Sequence, residues 1–400
     1  MTITKEELQK IKQEKLATLK RAFKNIDKIT GVENSVYILK DRPLEKVEAI
    51  STGSLTLDCA LGIGGIPRGR IVECSGLESS GKSLLALRTI AQAQANNMFT
   101  AYIDIEQTFD RSWAQLQGVN VDDLIVSQPT TMEQAFKIVT ELVNTKVVDL
   151  IVIDSIGALL PEQELEDAIE KQHMALIARG LSKFLRIINP LCAQNNCTLF
   201  CINQVRATMN MYGPAYTTTG GHALRFYCSV RMEASKVSGS TIKEKVAGED
   251  TPISHEIKVK ITKSKVAPPF RTAVFRVYYD GRKVDTTDEL ANVIINNNLI
   301  PKYNSKGEQD INGRKYIYNF EDEHLEINKK ADMADALRNC PKIQQYFIDM
   351  IKSGDFLTDP TLHAAPEDNM TEQEFFQSMN EDTENSASMA EEIEHVTDDF

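Results

Sequence analysis

Apolar positions near the start of the chain recur at helical spacing. Leu8, Ile11, Leu19, Phe23 and Ile26 stand among lysines and acids, which predicts one amphipathic helix over residues 5 to 28. Its apolar stripe needs a partner, either its own domain or a neighbouring subunit. From Val47 to Asp285 the rhythm changes. The short apolar runs RIVECSG, AYIDIE, DLIVIDS and TLFCINQ alternate with longer helical patterns. That alternation predicts an α/β fold: a mostly parallel central sheet flanked by helices. Further on, FYCSVRMEA, HEIKVKITKSK and AVFRVYYDG follow one another closely and partly alternate. They predict hairpin-type strands extending one edge of the sheet. ELANVIINNNLI and KIQQYFIDMI predict a small α-rich domain. The expected division is 1–46 (N-terminal helix and linker), 47–285 (core), 286–352 (small C-terminal domain) and 353–400 (tail).

Charge sharpens the last boundary. The net charge of −12 is concentrated after Lys352: residues 353–400 carry 14 acids and no Lys or Arg, leaving 45 basic against 43 acidic residues before them. Low hydrophobicity and one sign of charge predict a disordered tail. Sign asymmetry of that kind often marks an interaction or self-masking segment. The chain has no apolar run of membrane-spanning length and no signal-like start, so no membrane role is expected. Its cysteines (Cys59, Cys74, Cys192, Cys197, Cys201, Cys228 and Cys340) are odd in number and lie in apolar surroundings, as expected of reduced thiols in a cytoplasm. Cys192, Cys197 and Cys201 lie close together, but their spacing matches no standard metal pattern and TLFCI reads as a buried strand.

The chemistry begins at GLESSGKS, Gly76 to Ser83. It fits the phosphate-binding loop G-x-x-x-x-G-K-[ST] and, as that motif requires, follows an apolar strand and opens a helix. Backbone N–H groups freed by the glycines, and the positive end of the helix, suit phosphate oxygens. Gly76, Glu78, Ser79, Ser80, Gly81, Lys82, Ser83 and Leu84 form the expected cradle. Lys82 is expected to reach the β- and γ-phosphates, and Ser83 to ligate Mg²⁺. In a parallel sheet, ligands lie at the carboxyl ends of the strands. AYIDIE ends there in Glu106, DLIVIDS in Asp154 and TLFCINQ in Gln204. Asp154 suits either a metal carboxylate or a helix N-cap, and the upstream phosphate loop favours the metal. Glu106 suits activation of water or an ordinary surface position. Gln204 offers an amide to the γ-phosphate.

These residues resemble the bacterial RecA recombinase family, through ISTGSLTLDCALGIGGIPRGRIVECSGLESSGKS, YIDIEQTFD, LIVIDS, INQVR and TTTGGHALRFYCSVRM. The resemblance covers Val47 to Asp285 strongly and is fainter outside. It implies an ATP- and Mg²⁺-dependent enzyme that forms filaments on single-stranded DNA and exchanges strands with a homologous duplex. Such a protein works in a bacterial or phage-infected cytoplasm, with single-strand-binding and loader proteins as partners. By the same resemblance Glu106 activates water, and Gln204 couples the γ-phosphate to a DNA-binding loop. Asp110 and Trp113 meet the adenine. Lys263 and Lys265 reach the nucleotide of an adjacent subunit, and Phe226 communicates across that interface. Met174, Arg179, Ser182 and Arg186 meet DNA beside a first loop, Pro161 to His173. Arg206, Tyr212, Thr219, Gly220 and Gly221 belong to a second, RATMNMYGPAYTTTGG, and His222 just after it falls near the DNA backbone. Without the resemblance, Trp113 reads as core packing and the second loop only as flexible. The chain departs from the family pattern at Leu77, Ser83, Arg111, Trp113, Tyr216 and His222, and its second loop is about one residue shorter. The rival readings are a hexameric RecA-core helicase and an ATP-switched DNA-binding regulatory module.

Overall fold

The computed structural model describes residues 5–33, 35–41, 46–166, 174–207, 216–246, 249–282 and 285–354. The acidic tail lies outside them. The chain divides after Val47 into two compact units. The first contains α1 (Lys5–Thr30), with Ile11 and Leu19 exposed. Beyond its end, Ser35 folds back and donates through its N–H and Oγ to Asp27 Oδ1 at 2.9 and 2.7 Å.

In the second unit the order is α2 (Leu55–Leu61), β1 (Ile71–Gly76), α3 (Lys82–Ala95), β2 (Phe99–Asp104), α4 (Arg111–Leu116), β3 (Leu124–Ser127), α5 (Met132–Asn144) and β4 (Val148–Asp154). Next come α6 (Met174–Gln194), β5 (Thr198–Ala207), β6 (Tyr216–Thr218), α7 (Ala223–Tyr227), β7 (Val230–Lys236), β8 (Ile242–Val246), β9 (Glu249–Ser264) and β10 (Thr272–Tyr278). The central sheet runs β8-β9-β7-β1-β5-β4-β2-β3, with β10 beside β9 and β6 beside β5. From β7 to β3 every pairing is parallel, whereas β8, β9 and β10 pair antiparallel. Every residue of β1 is buried, because helices cover both faces of a parallel sheet and its central strands read as unbroken apolar runs. Leu84, Leu85, Leu87 and Ile90 of α3 close one face. Val139 of α5 and Leu181, Phe184, Leu185 and Ile188 of α6 close the other. Each such side chain contributes about 1.5–3 kcal/mol by leaving water.

One expectation needs refinement. FYCSVRMEA, read above as a hairpin-type strand, divides between α7 and β7, and β7 lies parallel to β1. The antiparallel extension begins only at β9. Burial alternates along Val230, Arg231, Met232, Glu233 and Ala234, and a period of two says which residues face the core without giving strand direction.

Residues 286–354 carry α8 (Thr286–Asn296), a three-stranded antiparallel sheet of β11 (Lys302–Tyr303), β12 (Lys315–Phe320) and β13 (Glu323–Ile327), then α9 (Met333–Arg338) and α10 (Pro341–Ser353). The small sheet was not legible in advance, because its strands are short and interspersed with polar residues. Leu290, Tyr316, Leu325, Ile343 and Phe347 share one apolar cluster with Leu55 and Cys59 of α2.

Two carboxylates fasten the entry to α2. Glu289 accepts from Ser54 Oγ (3.1 Å) and Leu55 N–H (2.8 Å). Asp58 accepts from Ser51 Oγ (2.5 Å), Thr52 N–H (2.8 Å) and Thr52 Oγ1 (2.7 Å). Burial pushes the Asp58 carboxyl up to about 7, aided by the charge of Glu289 and opposed by the Ser51 and Thr52 hydrogen bonds. Folding therefore takes up a proton between the unfolded value of about 3.9 and this folded value. Stability attributable to Asp58 falls as pH rises through that window, by up to about 1.4 kcal/mol per pH unit. Asp58→Asn is expected to flatten the decline of the urea midpoint between about pH 4 and 7; a slope equal to that of the unchanged chain would acquit Asp58.

Candidate functional site

The phosphate loop lies between β1 and α3 as the motif requires. Gly81 takes φ +87°, and a Cβ there would lie 2.1 Å from Ile257 Cδ1, so glycine is needed for conformation and for space. Glu78 and Ser79 are exposed at the tip, whereas Ser80 and Leu84 are buried. Lys82 Nζ donates to Leu77 O at 2.7 Å and approaches Ser80 Oγ at 3.5 Å. Burial lowers its pKa, against the nearby Asp154, Glu106 and Glu78, whose charges favour the ammonium.

Beside the loop, Asp154 Oδ2 accepts from Ser83 Oγ (2.7 Å) and from Tyr102 OH (2.5 Å). Burial raises its pKa, and these two hydrogen bonds act the other way. A hydroxyl and a carboxylate side by side are the hard oxygen donors that Mg²⁺ prefers. The donor set therefore fits a magnesium-bound triphosphate, with the Lys82 ammonium at the same mouth. Glu106 lies one strand away. Its Oε1 accepts from Ser155 Oγ and, at 2.9 Å, from Gln204 Nε2. The fold thus brings Lys82, Ser83, Asp154, Glu106 and Gln204 to one rim, formed by the carboxyl ends of β1, β2, β4 and β5.

Gln204 is also where the second expected DNA segment is tied down. Asn203 Nδ2 donates to Thr219 O at 3.0 Å, and Thr219 N–H to Gln204 O at 3.4 Å. Tyr216–Thr218 pairs antiparallel with Val205–Ala207. Thr217 and Thr218 therefore lie in a strand rather than loop, as β-branched residues favour, and Thr219 begins the turn. Gly220 and Gly221, at φ +90° and +74°, turn the chain onto α6: a Cβ on Gly220 would lie 2.7 Å from Leu181 Cδ2, and one on Gly221 3.4 Å from Ala178 Cβ. Arg179, Ser182 and Arg186 are spaced for one face of α6. Both arginines are exposed, as is His222. Met174 begins α6 and Arg206 lies in β5. Tyr212 and much of the first loop lie outside the described residues.

Other predicted residues have local partners. Asp110 caps α4, accepting from Trp113 N–H at 3.0 Å, and Trp113 packs partly buried on the α3 side of the core. Lys263 Nζ donates to the carbonyls of Arg225 (2.5 Å) and Phe226 (3.2 Å), and Lys265 Nζ to Phe226 O (3.5 Å). Phe226 is 72 % exposed. No hydrogen bond among the described residues joins these lysines to Gly76–Ser83. Cys192, Cys197 and Cys201 sit in the apolar cluster between sheet and α6, and burial pushes the Cys192 thiol up to about 12.

Sequence reasoning missed Tyr102 and Ser155. Ser155 had a signal, since it follows Asp154 at a strand end. Tyr102 had none: it looks like one more apolar residue of β2, and only folding carries its hydroxyl to Asp154.

The chain as a whole matches a known family. The profile of the RecA N-terminal domain matches residues 17–283. Protein RecA of Acinetobacter baylyi is 41 % identical over 323 residues, covering 80 % of this chain and 90 % of its own. The chain belongs to the RecA family. It is a DNA-dependent ATPase recombinase of DNA recombination and repair. Protein RecA of Acinetobacter baumannii is 39 % identical over 325 residues, covering 80 % of this chain and 91 % of its own. Protein RecA of Wolbachia pipientis from Culex pipiens is 46 % identical over 268 residues, covering 67 % and 74 %. RecA membership makes nucleotide binding, DNA binding and filament formation general properties of this chain, and it sets aside the helicase and regulatory-module readings. Among the described residues no helix is long and apolar enough to cross a membrane.

Proposed function

We propose that the chain polymerises on single-stranded DNA with ATP and Mg²⁺, aligns it with a homologous duplex and exchanges strands, and that hydrolysis resets the filament. The carrying observation is the continuous connection Ser155–Glu106–Gln204–Thr219, which joins the nucleotide rim to the second DNA segment.

In this reading Lys82 binds the β- and γ-phosphates, while Ser83 and Asp154 hold the metal. Mg²⁺ supplies charge neutralisation on the phosphate oxygens when bound. Glu106 orients the attacking water and takes its proton as oxygen bonds to the γ-phosphorus and the bond to the ADP oxygen breaks. The Gln204 amide trades Glu106 for the γ-phosphate and so shifts the base of the second DNA segment. Asp110 and Trp113 border the adenine. Lys263, Lys265 and Phe226 act across the subunit interface on a neighbour's nucleotide. DNA is held through its backbone by Met174, Arg179, Ser182, Arg186 and the segment from Arg206 to His222, with Tyr212 stacking on bases. Base pairing supplies sequence specificity. We place the protein in the cytoplasm, with single-strand-binding and loader proteins as partners.

The test is a pairing assay with circular single strands, homologous linear duplex, ATP and Mg²⁺. Joint molecules are expected only with homologous duplex and a hydrolysable or slowly hydrolysed triphosphate. DNA-stimulated hydrolysis without joint molecules would refute strand exchange.

A further inference from the structure

A second polar pocket lies away from the phosphate loop, where α3, the end of α4 and the start of α8 meet α10. It encloses about 420 Å³ and is lined by Arg88, Gln92, Gln117, Arg282, Glu289 and Lys352, among others. This volume lies in the range of small-molecule sites.

Its hydrogen-bonding capacity is unbalanced. Gln117 is 8 % exposed, and its Nε2 is buried with no partner among the described residues. Buried amide donors are almost always paired. Arg88, half-buried on α3, makes no hydrogen bond or ion pair among the described residues, and burial lowers its pKa against the favourable charge of Glu289. The acceptors nearby are already engaged. Glu289 receives Ser54 Oγ and Leu55 N–H, and Asp58, also in the wall, receives Ser51 and Thr52. Arg282 is held by Asp280 and Glu244, while Lys352 adds an exposed positive charge at the rim. The site therefore has donors to spare, Gln117 Nε2 and the Arg88 guanidinium, with the Glu289 carboxylate as the opposite charge nearby.

We propose that this pocket binds a small tetrahedral oxyanion, a phosphate either free or carried on a small metabolite, through the Arg88 guanidinium and the Gln117 amide. A guanidinium fork matches such an anion with parallel hydrogen bonds. Arg88 lies on the helix that Lys82 and Ser83 open, and Glu289 and Lys352 come from the C-terminal segment. An occupant thus bridges that segment to the helix of the phosphate loop. The proposal does not depend on the assignment of the nucleotide site.

The test uses the full chain with its phosphate loop saturated by a non-hydrolysable ATP analogue and Mg²⁺, titrated calorimetrically with inorganic phosphate and, separately, with a pentose monophosphate. One further binding event per chain is expected. Arg88→Ala is expected to weaken it about tenfold or more, the loss typical of a hydrogen bond to a charged group. Gln117→Leu removes a buried donor while keeping the volume, so it should fold even if Arg88→Ala does not, and it too should weaken binding. Tighter binding of the pentose monophosphate supports a phosphorylated metabolite as the ligand, and equal or tighter binding of phosphate supports the free anion. No second event at millimolar concentration, or equal affinity in the unchanged chain and both variants, overturns the proposal.

Discussion

Glu106→Gln is expected to lower ATP turnover by about 10²- to 10⁴-fold, the usual contribution of a positioned general base, while single-stranded DNA binding with ATP persists. The amide is nearly isosteric, and its oxygen still accepts from Ser155 and Gln204, the two partners of Glu106 Oε1. Packing and the tie to Thr219 should therefore survive, and what is lost is the ability to take a proton from water. The measurement pairs steady-state hydrolysis with fluorescence anisotropy on labelled single strands. Turnover within a few-fold of the unchanged chain would remove Glu106 from the reaction. Loss of DNA binding together with turnover would mean that the residue is a structural tie.

The largest effect on stability is expected at Glu73. This residue lies fully buried at the middle of β1, paired with Arg231 of β7 and accepting from Asn203 Nδ2 at 2.9 Å. Asn203 in turn accepts from Gln204 N–H (2.9 Å) and donates to Thr219 O (3.0 Å). Glu73→Ala strands a largely buried guanidinium, and breaking one side of such a pair costs about 3–5 kcal/mol. It also removes one of the two acceptors of the Asn203 amide, whose other acceptor is Thr219 O. We expect a fall of that size in unfolding free energy by urea titration, with m unchanged. A loss below about 1 kcal/mol would show that water reaches Arg231 and satisfies it. The pair itself need not be net stabilising, since a buried ion pair can be matched by apolar packing; the prediction concerns one partner left alone.

What was legible in the sequence follows from which signals are local. The phosphate loop, the parallel core and the carboxylates at strand ends could all be read, because a strand that ends in a polar residue beside a ligand carries its pattern within seven residues. Lys82, Ser83, Asp154, Glu106 and Gln204 meet at one rim as that logic implies. Contacts made through register were not legible. Tyr102 reaches Asp154 from the neighbouring strand, and Glu73 sits inside RIVECSG as a charge with no visible partner until β5 and β7 flank it. The direction of β7 was hidden because alternation is the same in either sense. Lys263 and Lys265 illustrate another limit: within one chain they hydrogen-bond carbonyls of α7, and a role toward a neighbouring nucleotide belongs to an assembly.

The most direct measurement of the central claim is electron microscopy of the protein on long single-stranded DNA with a slowly hydrolysed ATP analogue and Mg²⁺. Continuous helical filaments that dissolve into free DNA when ADP replaces the analogue are the predicted result. Closed rings on the strand, or bare DNA under the same conditions, would contradict it.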